Sequence, residues 1–251
     1  MKIVRDSIMY NVLKSVAKNI LPKNVLIRYE ESFRKFLSPM YRGENCKCNL
    51  CDTSLKNFAL LKNGDKICPV CGSISRTRRL FMLLNEEFLF LDAKILDFSP
   101  SRVLFRNLKN RKELAYFSTD YENEFLADYR YDITKIDAEN NKFDLITCYH
   151  ILEHITEDQQ AMNELFRVLK NGGIALVQTP FKEGEIYENQ NITSPEERLK
   201  HFGQNDHVRI YSVSGLENRL KNSGFTTEIR VFNSNEYFGL NDNETIIVCR
   251  K

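Results

Sequence analysis

The sequence predicts an α/β chain in which a mainly parallel sheet, closed by an antiparallel last strand, follows a small cysteine-rich module and a helical arm. Three observations predict it. Between Lys94 and Pro180 short apolar runs alternate with helical segments, and each run ends in an acidic or polar residue, the pattern of strands buried on both faces of a sheet. Cys48-x-x-Cys51 and Cys68-x-x-Cys71 have the spacing of paired metal knuckles. Residues 1–42 are basic and repeat apolar residues at helical spacing.

In the arm, Ile8, Val12, Val16 and Ile20 recur every fourth position up to Pro22, and Val25, Tyr29, Phe33 and Leu37 repeat the pattern. The net charge of +2 hides an asymmetry: residues 1–42 hold nine Lys/Arg and three Asp/Glu, which leaves 27 basic and 31 acidic residues for the rest. A basic amphipathic helix can rest on an anionic membrane or on nucleic acid. It can equally bury its stripe against the body or a second copy of the chain.

Residues 43–84 read as a zinc ribbon and the helix after it. A hairpin between the two knuckles would bring Cys48, Cys51, Cys68 and Cys71 into a closed tetrahedral Zn2+ site, which holds structure and leaves no position for water. Pro69 and Gly72 suit the tight turns around the metal. Cys46 offers a second register for the first knuckle, in place of Cys48. Arg76, Arg78 and Arg79 open the following helix and could grip phosphates. Cys148 and Cys249 lie in apolar strands and are expected as core thiols.

Residues 85–251 form the α/β body. Its landmarks are Ile95-Leu96-Asp97-Phe98, Tyr116 to Asp120, Tyr131-Asp132-Ile133, Phe143 to His154, the amphipathic run Gln160 to Leu169 before Asn171-Gly172-Gly173, and the final strand Thr245 to Cys249. Ligands of an open α/β sheet bind at the carboxyl ends of its strands. Asp97, Asp120 and Asp132 are expected together at that edge, and Asp120 follows the first strand at the distance where a carboxylate can accept both hydroxyls of a ribose.

With those residues in order, the body resembles the class I S-adenosylmethionine-dependent methyltransferases, which have a Rossmann-like sheet. The resemblance implies that Asp97 and the Ser99-Pro100-Ser101 loop face the methionine portion of S-adenosylmethionine, that Asp120 binds its ribose with Tyr121 beside it, and that Asp132 and Ile133 border the adenine. His150 and His154 then flank the sulfonium. The family's usual Gly-x-Gly loop is replaced by Ser99-Pro100-Ser101, and Pro100 offers no N–H, as in a bacterial subgroup with a proline-containing loop. NAD is disfavoured, because a pyrophosphate needs the missing glycines and free N–H groups. In that subgroup a ribbon and an arginine-rich helix commonly precede the catalytic domain, which implies that Arg76, Arg78 and Arg79 dock the ribbon or line the substrate mouth.

The segment 181–211 is an insertion after the fifth strand, polar and interrupted by Pro195. It closes with His201-Phe202-Gly203-Gln204-Asn205-Asp206-His207-Val208-Arg209-Ile210-Tyr211, similar to the subgroup's His-Phe-Gly-Gln-x-Asp-His-Val-Arg-x-Tyr signature. The expectation is acceptor binding, with His201 or His207 as base, Asp206 as a partner and Arg209 contacting an anionic or polyhydroxyl group. His150, Glu153 and His154 are spaced i, i+3, i+4 and could share a divalent ion. Methyltransferases acting on catechol-like quinone precursors look similar here, with a glutamate where His150 stands.

The expected activity is methyl transfer to a small molecule or glycan, on oxygen. The segment after the fourth strand has neither an Asn-Pro-Pro-Tyr nor a Pro-Cys loop, which argues against exocyclic-amine and cytosine-C5 nucleic-acid methylases. The competing class is a zinc-ribbon RNA- or DNA-binding protein, an RNA methyltransferase included, with the body as platform; an acidic body and few aromatic-basic alternations count against it. No run is apolar enough to cross a bilayer and the N-terminus lacks a signal-peptide pattern, so a cytoplasmic protein is expected.

Overall fold

The computed structural model describes Glu30, Ser32, Arg34, Phe36 and residues 38–251. The expected arm helices over 8–20 and most of 25–37 lie outside the described residues. Among the described residues no helix is long and apolar enough to cross a membrane. The chain divides into two units, one of residues 1–87 with 232–244 and one of 88–231 with 245–251.

In the first unit, β1 (Arg42–Cys48) pairs antiparallel with β2 (Thr53–Leu55), and β3 (Ala59–Leu60) with β4 (Lys66–Ile67). The helix α1 (Ser75–Leu83) follows the second knuckle. With so few apolar residues in these short strands, buried polar anchors take a large share of the work. Arg78 is fully buried, and its guanidinium donates to the carbonyls of Lys66, Ser73, Phe238 and Gly239. Its carbon sits 4.3 Å from the centre of the Phe58 ring. Arg79 pairs with Glu244 at 2.5 Å and donates to the carbonyls of Asn233 and Asn241. Arg78 and Arg79 are therefore spent on backbone carbonyls and a carboxylate of their own unit, which corrects their reading as phosphate grips or as a lining of the substrate mouth. Those bonds fasten 232–244 to the ribbon, although sequence position assigned that segment to the body. Gly239 has φ +63°, and a Cβ there would stand 2.4 Å from the Phe58 ring, so only glycine allows the close approach.

The second unit holds a six-stranded sheet in the order β11-β12-β8-β7-β5-β6, built from β5 (Lys94–Phe98), β6 (Ala115–Thr119), β7 (Phe143–Tyr149), β8 (Leu169–Gln178), β11 (Thr226–Phe232) and β12 (Glu244–Arg250). The pairs β5/β6, β5/β7 and β7/β8 are parallel and β12/β8 is antiparallel, as the sequence predicts. Helix α2 (Arg102–Lys109) follows β5, and α3 (Asp158–Val168) precedes β8. One core joins Leu96, Ile146, Cys148, Val177, Ile247 and Cys249 of the strands to Ala161, Met162 and Leu165 of α3. Cys148 and Cys249 are core thiols, and burial pushes both well above the ordinary thiol range.

One expected strand does not form. Residues 131–133 make only isolated bridges, because Asp132 turns its carboxylate onto the Thr134 N–H and hydroxyl at 2.8 and 2.7 Å, a turn that competes with a ladder. Asp132 therefore stands in a loop and not at a third strand end. The Tyr131 N–H donates to Thr119 Oγ1, which still holds that loop at the carboxyl end of β6.

The insertion 181–211 is an ordered excursion. It contains β9 (Tyr187–Glu188), α4 (Pro195–Phe202) and β10 (Arg209–Ile210), with β9 and β10 antiparallel. Pro195 opens α4 instead of interrupting the segment, since a first-turn proline loses no helical bond. Ser194 caps the helix and Gly203 closes it at φ 85°. A bridge between Phe181 and Tyr211 ties the ends together, and α5 (Val213–Asn222) then returns to the core through Leu216 and Leu220.

Candidate functional site

The cysteine site lies in the first unit. The Sγ atoms of Cys48 and Cys71 are 3.7 Å apart and those of Cys51 and Cys68 3.8 Å, and all four lie within 4.8 Å of one another. A tetrahedral zinc site with Zn–S near 2.3 Å has sulfurs about 3.8 Å apart. The Cys71 N–H points at Cys68 Sγ and the Ser73 N–H at Cys71 Sγ, each at 3.5 Å, the outer bonds that orient thiolate ligands. Hydrogen bonding among the crowded sulfurs pulls the Cys48 thiol down and pushes Cys71 up. Cys46 is buried outside the group, with Sγ 3.5 Å from the Leu55 carbonyl. The donor set therefore fits Zn2+ in the Cys48 register.

In the second unit the carboxyl ends of β5, β6, β7 and β8 form the crevice edge. Asp97, 2% exposed, accepts hydrogen bonds from the Tyr116 hydroxyl at 2.8 Å and from Thr147 Oγ1. Burial raises its carboxyl to about 6 despite those two bonds. Ser99 adopts φ +45°, the left-handed conformation that glycine serves in the usual loop, and its N–H donates to the Thr119 carbonyl at 2.7 Å. Ser101 keeps a buried hydroxyl with no hydrogen-bond partner, a donor suited to a ligand carboxylate.

Asp120 follows β6 and is 6% exposed. One oxygen accepts from Ser99 Oγ at 2.7 Å, and the other from the N–H groups of Glu124 and Phe125 at 2.6 and 3.0 Å. Beside it Tyr121 presents a half-exposed ring, with Arg130 5.3 Å from its centre. A carboxylate with an exposed aromatic next to it can take a ribose and an adenine. Ile133 is buried in the core, and one oxygen of Asp132 accepts from Thr134.

Past β7 the chain turns sharply at His150, φ +57°, whose N–H donates to the Gln178 carbonyl at 2.8 Å. The short 3-10 turn Leu152–His154 follows. The tail of the insertion is stapled to this turn: the Val208 N–H donates to the Glu153 carbonyl, and Arg209 donates to the carbonyls of Leu152, Ile155 and Thr156 and pairs with Glu188. Arg209 is therefore committed, which corrects its reading as a substrate contact; its job is to hold the tail in place. That staple brings His207 beside His154, rings 4.6 Å apart and perpendicular. His201 lies elsewhere on the segment, exposed, with Nδ1 2.8 Å from the Tyr187 hydroxyl.

Burial depresses His207 below the ordinary imidazole value, and charge on His154 adds to the effect. The ring is hydrogen-bonded to the Phe202 backbone while Nε2 has no partner, so the Nε2 lone pair faces the group. His154 Nδ1 is 3.2 Å from Asp206, and His150 Nδ1 3.2 Å from Glu153. Glu153 is 1% exposed, and its second oxygen has no partner. Burial pushes it up, but the imidazoles of His150 and His154 outweigh that and hold it below the ordinary carboxylate value. Gln178 and Thr179, at the end of β8, also carry buried polar atoms without partners. Sequence reasoning missed both, and their only signal is position after an apolar strand. A cavity lined by Phe88, Asp144, Lys170 and Gly172 opens at the amino ends of the strands, the opposite edge from this chemistry.

The family model of the methyltransferase domain matches residues 50–228. No curated protein matches the chain. Among solved structures, an S-adenosylmethionine-dependent methyltransferase from Archaeoglobus fulgidus is 14% identical, with 70% of this chain and 91% of that one covered at a TM-score of 0.49. A putative methyltransferase from Bacillus halodurans is 16% identical, covering 68% and 98% at 0.47. A phosphoethanolamine N-methyltransferase from Haemonchus contortus is 16% identical, covering 69% and 52% at 0.48. The family match spans well over half of the sequence, and with it the chain belongs to the methyltransferase-domain family and is an S-adenosylmethionine-dependent methyltransferase.

Proposed function

We propose that this enzyme methylates an oxygen of a small molecule or glycan, received beside Glu153, His154 and His207, and that its ribbon is a structural zinc unit. S-adenosylmethionine supplies an electrophilic methyl group on a sulfonium. Asp120 accepts its ribose hydroxyls, Tyr121 lies along its adenine, and Ser101 donates to its carboxylate. His150 and His154 stand beside the sulfonium end. The acceptor hydroxyl would give its proton to His207 or His201 as its oxygen takes the methyl group, with S-adenosylhomocysteine as the leaving product. Proton removal of this kind contributes about 10²–10⁴-fold.

The observation that carries this reading is the buried, unpartnered Nε2 of His207 beside the buried Glu153 in the turn after β7. A neutral imidazole with a free lone pair is equipped to take a proton. The test is release of S-adenosylhomocysteine over a panel of hydroxylated small molecules and glycans, with the methylated atom located by mass spectrometry. His207→Ala and His201→Ala should keep the affinity for S-adenosylhomocysteine while at least one of them slows turnover. Methylation on nitrogen or carbon would overturn the oxygen assignment, and full turnover in both variants would remove the base from this segment.

A further inference from the structure

The structure assigns a second metal site to this chain: we propose that Glu153, His154 and His207 bind one divalent first-row transition ion. The three side chains each offer one donor atom, and these atoms lie within 4.8 Å of one another. Ligands at about 2.0–2.2 Å from an ion in a tetrahedral set stand about 3.3 Å apart, a closure that side-chain rotation supplies. Two of the three residues are more than nine-tenths buried, and each keeps a donor atom without a partner. Glu153 is 1% exposed, with one oxygen 3.2 Å from His150 Nδ1 and the other unpartnered, and His207 is 4% exposed with Nε2 unpartnered. A buried carboxylate oxygen without a partner is costly, and a bound cation removes that cost.

The outer partners fit as well. A metal-bound histidine ordinarily donates its other ring nitrogen to a carboxylate or carbonyl. His154 has Asp206 at 3.2 Å from Nδ1, and His207 has the Phe202 backbone. Both imidazoles thus have one nitrogen engaged outside the group, which leaves Nε2 of each for an ion. Two imidazoles and one carboxylate suit zinc, manganese, iron(II) or cobalt over magnesium or calcium, and three protein ligands leave positions for an oxygen ligand. His150, which the spacing i, i+3, i+4 suggests as a ligand, instead faces Glu153 through Nδ1. The third ligand comes from the far end of the insertion, stapled there by Val208 and Arg209.

The purpose of such an ion rests on the acceptor reading above: it would hold the acceptor oxygen and favour loss of its proton, taking over the role that the free Nε2 of His207 has there. Its existence does not rest on that reading, so the test reads metal uptake and not turnover. The full chain, with zinc supplied to fill the cysteine cluster, is titrated with Co2+ and followed by elemental analysis and visible absorption. The wild type should take up one further ion whose spectrum is that of nitrogen and oxygen ligands, without thiolate charge transfer. His207→Ala and the isosteric Glu153→Gln should each weaken that uptake at least about tenfold, with the cluster's zinc and the affinity for S-adenosylhomocysteine retained. His150→Ala should keep the ion. No uptake beyond the cysteine cluster in the wild type, or uptake unchanged in both ligand variants, would overturn the proposal. Loss of S-adenosylhomocysteine affinity in those variants would count against the acceptor reading and leave the metal count intact.

Discussion

Asp120→Asn isolates the contribution of one strand-end carboxylate to cofactor binding. Asp120 already accepts three hydrogen bonds, from Ser99 Oγ and from the N–H groups of Glu124 and Phe125. An ionised carboxylate has about four acceptor positions, so one ribose hydroxyl can join without displacing anything, and the second must replace Ser99. The net loss on substitution is therefore close to one charge-assisted bond, about 1.5–3 kcal/mol, or a roughly 10- to 150-fold rise in Kd. Asparagine keeps one oxygen for the loop N–H groups, so the 121–125 loop survives the change where alanine would release it. Calorimetry with S-adenosylhomocysteine on the two proteins reads the difference directly. An unchanged Kd in Asp120→Asn would refute the placement of the ribose.

Three further expectations follow from the geometry. Protein purified without chelator should hold one zinc in the cysteine cluster, lost in Cys48→Ser and kept in Cys46→Ser; elemental analysis with the reverse result would move the ligand to Cys46. Arg78→Met orphans the carbonyls of Lys66, Ser73, Phe238 and Gly239 and should cost about 3–5 kcal/mol, visible as faster amide exchange in 232–244; equal protection there would contradict the anchoring role. Asp97 holds its proton in the folded state up to about pH 6, whereas the unfolded chain releases it near 3.8, so its share of stability is full below pH 3.8 and is lost as pH rises through 6. That loss is about 3 kcal/mol; Asp97→Asn should therefore be more stable than wild type at neutral pH and similar to it near pH 4, and denaturant melts showing no such crossover would place Asp97 in a wetter setting.

What the sequence made legible was whatever is written in local spacing. Cys48-x-x-Cys51 and Cys68-x-x-Cys71 named a cluster whose sulfurs do converge, and the run from Ile95 to Cys249 named the parallel sheet and its reversed strand. Residues whose partners are distant in the chain were legible only in part: a docking role for Arg78 and Arg79 was among the readings, but their partners were not. Arg78, Arg79 and Arg209 look like anion binders in any window of sequence, yet their partners are carbonyls and carboxylates that only the fold brings near. Asp132 reads as a strand end because its turn with Thr134 leaves the same apolar-acidic pattern. The meeting of Glu153 with His207 was invisible for the same reason: the contact spans the whole insertion.

The segment 232–244, held by Arg78 and Arg79, has a bearing on the order in which the chain becomes itself during synthesis. The cysteine knuckles and the carbonyls of Lys66 and Ser73 are made together with the two arginines, but the carbonyls of Gly239 and Asn241 follow 161 and 162 residues later. Until then two guanidinium groups must stay hydrated or find temporary partners. A truncation that keeps the ribbon and stops before residue 232 would produce the cysteine cluster without the contacts that bury its helix. The cysteine module is thus finished by the segment 232–244, and neither part of the sequence can be exchanged without carrying the other's fastening with it.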